Sequence, residues 1–154
     1  MKPNAPENLT LELKQFVRAP RARVWAAWTN ADLLAQWSCP EGMHVPEAEV
    51  DFREGGEWEV VMAANEDPTK RHVAFGSYRE ITEPERIIQT HQWRLPDGST
   101  SPGTLVTITF HDEGDRTRIT LTQTGFASAD SRDGHAEGWE STLRNFAQLV
   151  EARQ

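Results

Sequence analysis

The sequence predicts an α+β fold: a curved, seven-stranded antiparallel sheet, two short helices after the first strand, and a long C-terminal helix that the sheet wraps. Three observations predict it. Segments of period-two hydrophobicity recur through the chain and are joined by short, turn-forming connections. Helical periodicity takes over at two places, from about Pro20 to Trp37 and from Asp133 onward. The helical segments are segregated toward the ends rather than alternating with strands, as in an antiparallel sheet covered by helix on one face.

The first strand rests on Leu9, Leu11 and Leu13, which alternate with Thr10, Glu12 and Lys14. In RAPRARVWAAWTNADLLAQW, Pro20 suits a first helical turn, and Val24, Ala27 and Trp28 share one face. Thr29 or Asn30 is placed to cap a second short helix carrying Leu33, Leu34 and Trp37, which Cys39-Pro40 ends. Alternation resumes after His44 in VPEAEVDF and again in REGGEWEVVM, with Gly55-Gly56 supplying the positive backbone angles of a tight hairpin. HVAFGSYREI and RIIQTHQW form the next pair around TEPE, where Pro84 sets the turn. TLVTITFHDEGDRTRITLTQTGF holds two further strands around an acidic glycine turn. In DGHAEGWESTLRNFAQLVEAR, Trp139, Leu143, Phe146 and Val150 form one stripe of a long helix. A sheet of this size must twist and curl, and curling around one helix leaves a gap between the two layers.

A chain of 154 residues reads as one domain, 1–154, with residues 1–8 as a disordered lead-in. Its 16 basic and 24 acidic residues give a net charge of −8, which opposes binding to nucleic acid or to anionic membrane surfaces. The lone Cys39 forms no internal disulfide, the opening MKPNAPENLT lacks the apolar core of a signal peptide, and no apolar run approaches the roughly 18 residues of a membrane span. The expected setting is the cytoplasm, away from the membrane.

No chemical motif stands out. Cys39 lacks a neighbouring cation or helix N-terminus to activate it and reads as a passive thiol. His44, His72, His91, His111 and His135 show no metal-ligand spacing, so no metal or cofactor is expected, although His72 and His91 could meet across neighbouring strands. Glu57 and Glu59 alternate with apolar residues and face solvent, and Asp51 and Arg53 make at most a surface pair. No nucleophile elbow or nucleotide loop can be placed, so no catalytic residue is assigned.

The informative segment is RIIQTHQW. Alternation sets Ile87, Gln89, His91 and Trp93 on one face, and that face is the better candidate for the concave side. Gln89 and His91 then point inward and need a partner, whether protein, water or ligand. By the same alternation Trp58, Val60, Met62, Val106, Ile108, Phe110, Ile119 and Leu121 face the stripe of Trp139, Leu143 and Phe146. The candidate ligand-binding set is Trp58, Val60, Met62, Gln89, His91, Trp93, Ile108, Phe110, Leu121, Trp139, Leu143 and Phe146. The same residues would also make an ordinary filled core.

Four stretches, APRARVWAAWTNADLLAQW, EGMHVPEAEVDFREGGEWEVVM, GSYREITEPERI and TQTGF followed by DGHAEGW, resemble the homologues of the activator of the heat-shock protein 90 ATPase, within the helix-grip, START-like superfamily. Their order spans nearly all of Leu9–Val150. The resemblance implies a helix-grip fold with a cavity between sheet and C-terminal helix. Its relatives bind lipids, hormones or polyketides, and some are enzymes. Where the family tends to carry an aromatic residue and a glycine after the tryptophan at Trp37, this chain has Ser38 and Cys39, a smaller and more polar pair. His135 falls in the family-like GHAEGW segment, where it is expected to cap or pack.

Three functions follow as expectations. The first is a carrier or sensor of a small, largely apolar molecule held between sheet and helix and oriented by Gln89 and His91. The second is a chaperone-partner role in the stress response, which the lack of room for a second module weakens. The third is a cyclase or hydrolase using His91 as general base.

Overall fold

The computed structural model describes residues 9–152; the lead-in read over residues 1–8 lies outside the described residues. Strand β1 (Thr10–Val17) is followed by α1 (Arg21–Thr29) and α2 (Ala31–Trp37). Six strands come next, β2 (Met43–Val50), β3 (Glu57–Ala64), β4 (Arg71–Thr82), β5 (Arg86–Arg94), β6 (Thr104–Asp112) and β7 (Thr117–Thr124), and then the long α3 (Ala129–Ala152). The strands form one antiparallel sheet in the order β1-β7-β6-β5-β4-β3-β2, so each strand from β2 to β7 pairs with its sequence neighbour and β1 closes on β7. This is the α+β architecture the periodicities predict.

Local chemistry explains the joints, with small corrections. Pro20 stands just before α1 in extended conformation, where its ring starts the helix without occupying a helical position. The Asn30 side chain caps α2 by accepting the Leu33 N–H at 3.1 Å, while the Thr29 hydroxyl turns back to the Trp25 carbonyl. Of the glycine pair only Gly55 has a positive φ, +84°. Gly56 is needed for another reason: a Cβ there would collide with the Asp51 carbonyl. Pro46 lies in edge strand β2 within the register shift between His44 and Glu47, where the missing N–H interrupts no regular ladder. A second shift, between Tyr78 and Glu80, lies in the β4–β5 pair, and such irregularities increase the local twist and bend of a sheet.

Packing differs along α3. Its buried residues are Thr142, Leu143, Phe146, Ala147 and Val150, all in the second half. Here the helix lies against β1, and Ile108, Phe110, Ile119, Leu121, Leu143 and Phe146 are sealed from solvent in one core cluster. Trp28 and Trp37 close on Phe146 edge-on at 5.0 and 4.7 Å between ring centres, and Trp25 closes on Phe110 at 5.3 Å. In the first half of α3, Ala136 and Trp139 are only half-buried. There the helix and strands β3–β5 bound an open space.

Candidate functional site

That space is a cavity of about 440 Å³, within the roughly 300–1,000 Å³ usual for small-molecule sites. Sheet register builds its floor. Trp58 pairs with Gly76, Val60 with Ala74 and Met62 with His72 across β3–β4, and Ala74 with Trp93 and Tyr78 with Gln89 across β4–β5. Each strand therefore presents every second side chain to the same cavity. Gly76 is part of this construction, because a Cβ there would collide with the Thr90 carbonyl and stand 2.8 Å from the Trp58 indole nitrogen. The roof is the first half of α3, with Gly134, His135, Gly138 and Trp139, and one side is closed by Leu34, Trp37 and Ser38 at the end of α2.

Two tethers hold the aromatic rim. Trp93 Nε1 donates to His135 Nε2 at 2.9 Å, and His135 Nδ1 stands 2.7 Å from the Ser131 carbonyl one helical turn earlier. An indole N–H only donates and a carbonyl only accepts, so this arrangement puts the His135 proton on Nδ1. Trp139 Nε1 donates to Gln123 Oε1 at 2.8 Å, and Gln123 Nε2 donates to Thr104 Oγ1 at 2.8 Å. Gln123 is fully buried, so these bonds satisfy an amide that would otherwise be costly to enclose.

Other polar groups in the cavity have no such partner. Among the described residues four buried side-chain polar atoms are unpartnered, and three belong to residues lining this space: Ser38 Oγ, Trp58 Nε1 and His91 Nδ1. The Gln89 amide also makes no hydrogen bond to a described residue. His91, only 5 % exposed, is ringed by Trp93, Trp58 and His135 at 5.3, 5.5 and 6.0 Å between ring centres. Burial, with a smaller contribution from His135, pulls its pKa down to about 3, so the ring is uncharged at neutral pH. Burial pushes the Tyr78 phenol up from its ordinary range, which keeps it protonated and able to donate.

A model of the family described as "Activator of Hsp90 ATPase homolog 1-like protein" matches residues 18–151. The chain belongs to this family. Solved structures agree with the assignment. The AHSA1 protein of Silicibacter pomeroyi superposes with a TM-score of 0.86 at 25 % identity, covering 94 % of this chain and 99 % of that one. A protein of Chromobacterium violaceum gives 0.77 at 28 % identity, with 92 % and 97 % covered, and one of Rhizobium leguminosarum gives 0.78 at 26 %, with 94 % and 95 % covered. No curated protein matches.

In this family member seven of the twelve residues proposed from the sequence line the cavity: Trp58, Val60, Met62, Gln89, His91, Trp93 and Trp139. Ile108, Phe110, Leu121, Leu143 and Phe146 do not; they belong to the buried core cluster beside it. Tyr78, Ser38 and His135 also line the cavity; Tyr78 was not among the residues expected from the sequence, Ser38 was expected only as part of a smaller, more polar pair after Trp37, and His135 only to cap or pack. Tyr78 was within reach of the sequence reading, lying two positions after Gly76 on the inward parity of HVAFGSYREI. Ser38 and His135 lie outside the strands, at the end of α2 and in the first half of α3, so no strand alternation placed them on the cavity wall.

His72 is exposed and meets the edge of Trp93 at 6.4 Å, leaving His135 as the imidazole nearest His91. Among the described residues no three histidine, cysteine or acidic side chains gather into a metal site. The buried Cys39 thiol donates to the Met43 carbonyl at 3.3 Å, and burial raises its pKa, which suits a passive role. Asp51 and Arg53 form an exposed pair at 2.9 Å. Among the described residues no helix is long and apolar enough to cross a membrane.

Proposed function

We propose that this protein is a carrier or sensor that holds a small, largely apolar molecule between β3–β5 and the first half of α3. One observation carries the reading: an aromatic-walled cavity of about 440 Å³ whose buried polar atoms on Ser38, Trp58 and His91 have no protein partner. A buried polar atom left unpaired costs about 1–3 kcal/mol, so a molecule supplying a hydrogen bond there is favoured beyond its apolar contact. A cytoplasmic setting belongs to the same proposal and accords with a single, reduced, buried cysteine.

Nothing in the site favours the enzyme reading over this one. A general base works best with a pKa near the working pH, and His91 is held near 3. The chaperone-partner reading has the family description behind it and no feature of this cavity.

The test is to titrate the protein with a library of apolar and amphipathic metabolites while following amide resonances. Saturable shifts at Gln89, His91 and Trp139 are expected for at least one compound class. A library that moves none of these resonances defeats the proposal.

A further inference from the structure

We infer that the cavity selects uncharged ligands bearing a carbonyl or hydroxyl group, and that it rejects carboxylates of the same skeleton. This rests on the cavity being a binding site, and it adds the chemical class of the occupant. The polar residues of the cavity floor form one patch: Tyr78 and Gln89 are cross-strand partners, and His91, whose Nδ1 is unpartnered, lies two positions along β5 on the same face. Beside it, Trp58 Nε1 is unpartnered. Indole N–H and phenol O–H donate, the Gln89 amide does both, and His91 Nδ1 is unpartnered, so the patch matches an oxygen that accepts, donates or does both.

The charges point the same way. No lysine or arginine lines the cavity, and its one formally charged lining residue is Asp130, an exposed acid in the first turn of α3. A carboxylate carried to the patch would lose its water and meet no cation. Nor does His91 supply one, since burial keeps it uncharged at neutral pH. Five of the protein's six tryptophans line the walls, so the site suits flat, aromatic or polycyclic skeletons.

The experiment compares three probes of one skeleton: naphthalene, 2-naphthalenemethanol and 2-naphthoate. Tryptophan fluorescence and amide shifts at neutral pH are read on the intact protein. The alcohol is expected to bind at least about tenfold more tightly than the carboxylate. Tyr78→Phe, which keeps the ring, and Gln89→Leu are each expected to shrink the alcohol's advantage over naphthalene while leaving naphthalene binding unchanged. His72→Arg, at the exposed rim, is expected to strengthen naphthoate binding by about three- to fivefold with no gain for the alcohol. If naphthoate binds the unaltered protein as tightly as the alcohol, selection against charge is overturned while the cavity remains a binding site. If none of the three moves Gln89, His91 or Trp139, the binding site falls and this inference with it.

Discussion

The two halves of the space between sheet and α3 are made of similar material and end in opposite states. Beside β6 and β7, Ile108, Phe110, Leu121, Leu143 and Phe146 are sealed from solvent in one core cluster. Beside β3–β5, Trp58, Met62, Trp93 and Trp139 stand around a space of about 440 Å³. The difference lies in what reaches across. At the closed end Trp28 and Trp37 pack against Phe146 and border the cavity with their other side, whereas at the open end α3 places Gly134 and Gly138, which project no side chain, beside His135 and Trp139. An apolar face thus becomes a core or a container according to its partner rather than its own composition.

The largest effect should come from breaking the closed end. Phe146→Ala is expected to cost about 3–5 kcal/mol, because Trp28, Trp37 and their neighbours cannot collapse into the space left behind. Met62→Ala, at the open end, should cost less than about 1.5 kcal/mol, since that side chain already borders empty space. Urea unfolding of both variants measures the contrast. Equal losses would mean the cavity is filled in solution.

The next effect is set by pH. In the unfolded chain His91 takes up a proton near 6.5, whereas the folded protein refuses it until about 3. Between those values the unfolded state binds more protons, so this group makes stability fall as pH falls, by about 3 kcal/mol from pH 7 to pH 4. His91→Phe should remove that part of the slope and leave the rest. Unfolding curves at several pH values decide it, and an unchanged slope would place His91 in contact with water.

A smaller loss is expected at the tether behind the rim. Gln123→Leu removes the acceptor of Trp139 Nε1 and the donor to Thr104, for about 1–2 kcal/mol. Freed of its acceptor, Trp139 should also change its fluorescence maximum. A stability loss with no spectral change would mean that Gln123 packs without holding the indole.

The alternation of Ile87, Gln89, His91 and Trp93 was enough to point Gln89 and His91 inward, because strand parity is a local property that one buried face fixes. Element order and capping at Asn30 were legible for the same reason, being set by residues adjacent in sequence. The empty volume was not. Phe110 and Trp93 carry the same inward parity on neighbouring parts of the sheet, yet one meets α1 and the other meets His135 across the cavity. That outcome depends on the path of α3, which is fixed by contacts between residues far apart in the chain. The pairing of His135 with Trp93, 42 positions apart, left no trace in either local sequence.

The smallest effect tests why the open end stays open, and it carries the opposite sign. Gly138 sits inside α3 and lines the cavity, and a Cβ built there meets nothing within 4 Å. No steric demand keeps glycine at this position, and a glycine within a helix is less stable than alanine by about 0.5–1 kcal/mol. Gly138→Ala should therefore stabilise the protein by about that amount, while the new methyl group takes room from the ligand and weakens binding of 2-naphthalenemethanol. Gly76→Ala is the counterpart: its Cβ would collide with the Thr90 carbonyl, so it should destabilise. If Gly138→Ala proves neutral or harmful to stability, the glycine serves the helix's own packing, and the openness of this end needs another cause.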